Sequence, residues 1–346
     1  MALSIAPLRI AIDAMGGDAG PSITLPAIYK VARKYPDIQF QIYAEDGIRG
    51  ELPHWCGSDN TVFIPAVNSI SMTDDPIQIL RHKRDSSMGL AISAVAESKA
   101  DGCLSAGNTG ALVVLGIHFL KTYDGIDRPA LCQEVPTAAG PTYLLDMGAN
   151  VDCSAQQLVQ LACLGSVLCS ALKNILRPSV YLLNVGSESS KGSTAIKEAA
   201  ELLSRYESIN YQGFIEGHEI YQGNSHVIVC DGFNGNVALK VSEGVARFMV
   251  HSLKKTCQKS TYGKLVGLLA HSLLQRWQEK MGVDRYNGAY LLGLRGTLVK
   301  SHGGANVRQF AYALEMLVHQ LQKQSHFGIG HALAECFKRQ NRRHSI

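Results

Sequence analysis

Short apolar runs alternate with longer segments of helical period along this chain, and the two patterns take turns. The runs that predict strands are Leu8 to Ile12, Ile38 to Tyr43, Thr61 to Ile64, Gly102 to Ser105, Thr142 to Leu145, Val180 to Val185 and His226 to Cys230. Helical periodicity marks Pro21 to Lys34, Ser87 to Lys99, Gly110 to Lys121, Ala155 to Leu172, Thr194 to Tyr206 and Asn236 to Lys255. Such alternation predicts a doubly wound α/β fold, a mostly parallel sheet with helices on both faces in three α/β/α layers. With no internal repeat and no low-complexity linker, residues 1–346 read as a single domain.

One stretch breaks the rhythm. From Arg247 to Met281 no strand pattern occurs, and Leu265, Leu268, Leu269, Leu273 and Trp277 recur at helical spacing opposite Lys264, His271, Gln275 and Arg276. This predicts a helical arm over 247–281 whose apolar stripe is a packing or dimer face, a membrane-surface face or a partner-binding face.

Five predicted strands stop in loops rich in Gly, Asn, Asp and Ser. They are Asp13 to Asp18, Ser105 to Gly110, Asp146 to Asn150, Asn184 to Gly192 and Asp231 to Asn236. In an open α/β sheet, ligands bind outside the carboxyl ends of the strands, so the five loops are expected to meet at one crevice. Glycine there lets backbone amides approach an anion or a carbonyl closely, and many of the chain's 33 glycines fall in these loops.

Composition narrows the function. The chain is 46% hydrophobic and 18% charged, ordinary for a water-soluble globular protein, and its net charge of +4 comes without a basic stripe interleaved with aromatics, which argues against nucleic acid. Nine cysteines form no CxxC pair and mostly lie in apolar stretches, the usage of reduced, buried thiols. The start has no basic region before an apolar one, and the runs Ala111 to Ile117 and Leu265 to Leu274 fall short of the roughly 20 residues that cross a bilayer. A cytoplasmic protein, at most lying on a membrane, is expected. The tail cations Lys338, Arg339, Arg342 and Arg343 read as solvated.

Familiar signatures are nearly present and fail. Gly186 to Ser193 resembles a P-loop, but Lys191 precedes Gly192 instead of following a glycine, and Gly328 to Leu333 lacks the third glycine and the preceding strand of a dinucleotide fingerprint. ATP and NAD are disfavoured, and no metal-ligand spacing or GxSxG elbow occurs, so no cofactor and no metal is expected. His218, between two acids, reads as an acid, a base or a structural residue. Cys230 reads as a buried thiol sooner than as a nucleophile, having no basic neighbour in sequence. Lys191 is the sharper candidate, a cation in a Gly/Ser loop before a helix, where the helix amino terminus also favours an anion. Asn108 and Asn236 lie beside glycines, where an amide either donates to an oxyanion or shapes a turn.

Taken together the loops resemble the bacterial phosphate acyltransferases of phospholipid synthesis, the PlsX family. The resemblance rests on IAIDAMGGDAGP from Ile10, RHKRDSSM from Arg81, SAGNTGAL from Ser105, GIDRPAL from Gly125, LLDMGANVDC from Leu144, GFIEGHEI from Gly213, VCDGFNGNVALK from Val229 and YNGAYLLGLRGTLVKSHG from Tyr286. It spans roughly Arg9 to Asn306. One departure is Gly186-Ser187-Glu188 where the family usually has Gly-Glu-Glu.

The resemblance implies that inorganic phosphate attacks the thioester of a long-chain acyl group on acyl carrier protein, giving acyl phosphate for a membrane glycerol-3-phosphate acyltransferase. It also implies a fold of the isocitrate and isopropylmalate dehydrogenase type, a homodimer and peripheral association with the inner face of the membrane. Lys191 and Asn236 carry over as catalytic residues, with Asp231 as an orienting group. Asp13, Gly16, Gly17, Ser105, Asn108, Thr109 and Asn150 carry over as lining the phosphate and acyl phosphate site. Arg295, Lys300 and His302 are left unplaced. The rivals are a phosphotransacetylase-like enzyme acting on acyl-CoA, a dehydrogenase of the same fold and a non-catalytic scaffold that binds acyl carrier protein.

Overall fold

The computed structural model describes residues 7–57, 60–258, 287–324 and 329–341. Its strands are β1 (Arg9–Asp13), β2 (Gln39–Glu45), β3 (Thr61–Ala66), β4 (Gly102–Ser105), β5 (Ala130–Val135), β6 (Thr142–Leu145), β7 (Ser179–Asn184), β8 (Asn210–Glu216), β9 (Val227–Val229), β10 (Ala289–Leu292) and β11 (Thr297–Lys300). They form one sheet in the order β3-β2-β1-β4-β11-β10-β5-β6-β9-β7-β8. The helices are α1 (Pro21–Lys34), α2 (Pro76–His82), α3 (Ser87–Ala96), α4 (Thr109–Leu120), α5 (Ala155–Lys173), α6 (Thr194–Ser204), α7 (Gly232–Gln258), α8 (Val307–Gln324) and α9 (Ile329–Asn341).

Three antiparallel pairings, β11 with β10, β10 with β5 and β5 with β6, interrupt an otherwise parallel ladder. Their effect is to reverse the sheet. β1 to β5 and β11 run one way, and β6 to β10 run the other.

Alternate residues of each central strand enter two cores. Ile10 and Ile12 pack with α1, α5 and α8 on one face, while Ala11 packs with α3 and α4 on the other. Because both faces are covered, strands such as Val227–Val229 are buried at every position, which explains why they read as continuous apolar runs. The doubly wound three-layer expectation holds. The helix starts follow their caps: Asn108, Ser154 and Ser193 each accept a backbone N–H from the first turn of α4, α5 and α6.

The apolar pattern missed four of the described strands, among them β5, whose apolar start Ala130–Cys132 is broken by Gln133 and Glu134. Edge strand β8 reads NYQGFIE and faces little core. β10 and β11 form a tight hairpin through Gly293 and Gly296, so no helical pattern follows β10 to set it off as a strand of the alternating series. α5 is 19 residues long and apolar enough to cross a bilayer by length and composition, yet most of it is buried between the sheet and its neighbouring helices, the environment of a core helix. Residues 247–258 of the expected arm are the last three turns of α7, and 259–281 lie outside the described residues.

At Gly165 the middle of α5 touches the sheet. A Cβ placed there would stand 2.6 Å from Val227 Cγ1 and 2.9 Å from Leu145 Cδ1. Gly165→Val is expected to destabilise the protein by about 1–3 kcal/mol through overpacking. Urea unfolding checks this, and an unchanged midpoint would show that the contact yields freely.

Candidate active site

The reversal of strand sense sorts the five glycine-bearing loops into two groups. Those after β1 and β4 leave the sheet at one end, together with the loop after β11, and those after β6, β7 and β9 leave at the opposite end. A single crevice fed by one sheet end, as expected from sequence, is therefore not what forms. Instead α7 starts in the second group and runs back to the first.

In the first group Asp13 is buried beneath the loops. Its Oδ1 accepts the Ser87 hydroxyl and its Oδ2 the Ser105 hydroxyl, each at 2.7 Å, and Ser105 Oγ accepts the Gly107 N–H at 3.0 Å. Burial raises the Asp13 pKa, against the lowering effect of the two hydroxyls. Gly16 must lack a side chain, since a Cβ would lie 2.7 Å from both Asp13 Oδ2 and Gly107 N. Gly17, at φ +95°, would place a Cβ 3.0 Å from the Gly303 carbonyl.

Asn108 caps α4 through Oδ1 and donates both amide protons, to the carbonyls of Met72 (3.0 Å) and Asp74 (3.1 Å). Its polar atoms hold the chain together and leave no proton for a ligand. Thr109, half-buried, opens α4 beside it.

The loop after β11 joins this group. Ser301 N–H donates to the Ser105 carbonyl at 2.9 Å, and Asp18 N–H to the Gly303 carbonyl at 2.9 Å. Lys300 is 8% exposed and its Nζ donates to the carbonyls of Ala106 and Ser301. Burial lowers its pKa to about 8, and the charges of Asp13 and Asp18 limit the fall. Partial burial of the ring and the Lys240 cation beside it lower the His302 pKa.

In the second group Asp146 has the part that Asp13 has in the first. Oδ1 accepts the N–H groups of Leu131, Gly148 and Ala149, while Oδ2 accepts the Asn150 N–H (2.7 Å) and Nδ2 (2.8 Å). Burial raises this acid too, against those five donors. Asn150 also donates Nδ2 to the Pro129 carbonyl at 2.9 Å, and its buried Oδ1 has no partner among the described residues. Asp231 caps α7, accepting Asn234 N–H and Nδ2 at 2.8 Å each. Cys230 is a buried thiol that donates to the Asp146 carbonyl, its pKa pushed well up by burial, so it is no nucleophile.

Two of the predicted site residues of this group, Lys191 and Asn236, stay open. Asn236, exposed in the first turns of α7, lies over Gly148, whose missing Cβ would be 3.5 Å from Asn236 Cβ. Lys191 is exposed, its loop held by Asn184, which donates Nδ2 to the Lys191 carbonyl at 3.3 Å. The reversed Lys-Gly order has a steric cause: Gly192 sits at φ +90°, where a Cβ would be 2.3 Å from Asn184 Oδ1. Among the described residues neither the Lys191 ammonium nor the Asn236 amide has a hydrogen-bond partner.

Among the described residues the two groups meet where Lys240 Nζ lies 2.7 Å from His302 Nε2. Lys240 closes the motif that contains Asn236, four residues on, so the sequence did hold its signal. Arg295 belongs elsewhere, at the β10–β11 turn with Asp124 (2.6 Å), and His218 stands at the end of β8 beside Glu216 (3.7 Å).

The sequence matches the family described as fatty acid synthesis protein over residues 8–326. It is 47% identical to a phosphate acyltransferase of Nitrosococcus oceani over 324 residues, covering 91% of this chain and 94% of that one. It is 42% identical to a phosphate acyltransferase of Teredinibacter turnerae over 334 residues, covering 95% and 98%. In fold it is similar to a phosphotransacetylase from Streptococcus pyogenes (TM-score 0.61, 14% identity, 92% and 94% of the two chains). A putative 4-hydroxythreonine-4-phosphate dehydrogenase from Salmonella typhimurium shares it as well (TM-score 0.55, 10% identity, 91% and 99%).

Lys300 supplies a pH test. Folding lowers its pKa from 10.5 to about 8, so between these values the unfolded chain binds more protons and stability rises with pH. Below pH 8 both states are protonated and the full cost of burying the charge, on the order of 3 kcal/mol, is felt; above 10.5 it is gone. Lys300→Met is expected to flatten the rise in wild-type stability between pH 8 and 10.5. Denaturant titrations of both proteins across that window check it, and parallel curves would refute it.

Proposed function

The chain belongs to the fatty acid synthesis protein family, whose relatives named above are phosphate acyltransferases, and from that membership we propose that it moves a long-chain acyl group from acyl carrier protein to inorganic phosphate. It is an acyltransferase acting in fatty acid and phospholipid synthesis. In the proposed step a phosphate oxygen attacks the thioester carbon, the C–S bond breaks, and acyl phosphate leaves with the carrier thiolate, which takes a proton to become the free thiol. No strong base is required, because the nucleophile is already an anion and the leaving thiol has a reference pKa of about 8.5.

The observation that carries this reading is the division of labour in the second loop group. Asp146, Asn150 and Asp231 spend their hydrogen bonds on the loops, whereas Lys191 and Asn236 keep their donors free at the surface. A cation and an amide beside glycine backbone suit an entering phosphate and the negative charge that grows on the thioester oxygen. Asp13 and Asn108, committed internally, shape the neighbouring loops in this reading.

The finer setting is also proposed. The enzyme works as a homodimer at the inner face of the cell membrane and passes acyl phosphate to the membrane glycerol-3-phosphate acyltransferase. Support comes from α7, where Phe233, Val237, Val241, Val245, Phe248, Met249 and Leu253 form an exposed apolar row at helical spacing.

The test mixes the protein with palmitoyl carrier protein and phosphate and measures free thiol together with hydroxylamine-reactive acyl phosphate. Both should appear in equal amounts, and faster than with palmitoyl-CoA. Lys191→Ala should lower turnover at least tenfold with the fold intact. No acyl phosphate from either donor would sink the reading, and near-normal turnover in Lys191→Ala would remove that lysine from the mechanism.

A further inference from the structure

The contact between Lys240 and His302 sets a cation against an imidazole ring. Lys240 Nζ lies 2.7 Å from His302 Nε2, and the Gly304 nitrogen lies 3.1 Å from the ring's other nitrogen, Nδ1. Burial and the Lys240 cation both lower the pKa of the ring, which favours its neutral form while no anion is bound.

An anion would relieve that arrangement, since an oxygen entering beside the pair can accept from the lysine and from the ring once His302 is protonated. The place is right for the substrate. Asn236 precedes Lys240 by four residues and so shares its face of α7, about 6 Å along the axis.

Charge around the pair favours an anion as well. From α7, Glu243 lies 3.6 Å from Lys240 and 3.1 Å from Arg247. From β11 comes the buried Lys300, and from the loop after β1 comes Asp18, whose carboxylate borders Gly303 and Gly304. Three cationic side chains thus face two carboxylates, before His302 takes any proton.

We propose that Lys240 and His302 bind the inorganic phosphate of the transfer reaction and that the pair takes up a proton as the phosphate enters. This rests on the phosphate acyltransferase reading and adds to it the residues that hold the nucleophile. The proton comes from the solvent buffer, and no covalent bond between heavy atoms changes in the binding step.

The test titrates inorganic phosphate into the full-length protein by calorimetry at pH 7.5 in two buffers of different ionisation enthalpy. Wild-type protein should show uptake of a proton through the buffer dependence of the heat, and Lys240→Met should lose that uptake. In steady state, Lys240→Met should raise the KM for phosphate at least tenfold while kcat stays within about threefold, and Lys240→Arg should restore most of the binding. His302→Gln should bind phosphate without taking up a proton.

A KM for phosphate unchanged in Lys240→Met, or heats independent of buffer in the wild type, would overturn the proposal. Phosphate binding that disappears in Lys240→Met supports it even if the wild type releases no carrier thiol, a result that would remove the acyl-transfer reading alone.

Discussion

Three neighbouring antiparallel pairings in mid-sheet decide where everything else lies. Because β10, β5 and β6 pair antiparallel, the ladder stays hydrogen-bonded across all eleven strands while its direction is inverted. Each half then presents its carboxyl ends, with their loops and helix starts, at a different end of the sheet. A site made only from strand ends would be split in two. What reconnects them is α7, which begins among the second set of loops and reaches the first at Lys240.

Each half is closed by a buried acid whose job is internal. Asp13 is held by hydroxyls from Ser87 and Ser105, and Asp146 by backbone amides and Asn150. A buried carboxylate is tolerable only when such donors surround it, and in return it fixes the loop that supplies them. The glycines nearby follow from the same crowding, since Gly16 and Gly192 have oxygen atoms where a side chain would begin. Rigid loops of this kind let the open side chains, Lys191 and Asn236, face solvent without losing their position.

Much of this was legible in the sequence, and the gaps have physical causes. Strand-helix alternation revealed the doubly wound fold because central strands such as Val227–Val229 are buried on both sides and helices such as Pro21–Lys34 carry their own start signals. It missed β5, β10 and β11, and with them the reversal of direction, which depends on long-range pairing and leaves no local trace. Residue type showed which loops matter but not what each side chain does. Asn108 and Asn236 both sit next to glycine, yet one is tied up by Met72 and Asp74 while the other is open, a difference made by neighbours far away in the chain.

The position of β11 has a consequence for biosynthesis. β4 ends at Ser105, but the strand that covers its free edge begins only at Thr297, nearly two hundred residues later. At about 5–20 residues per second a ribosome needs roughly 10–40 s to cover that gap. Throughout that interval the nascent first half exposes an unpaired, apolar strand edge of the kind that invites aggregation. Synthesis, more than the finished molecule, is thus the stage at which this sheet is open to aggregation.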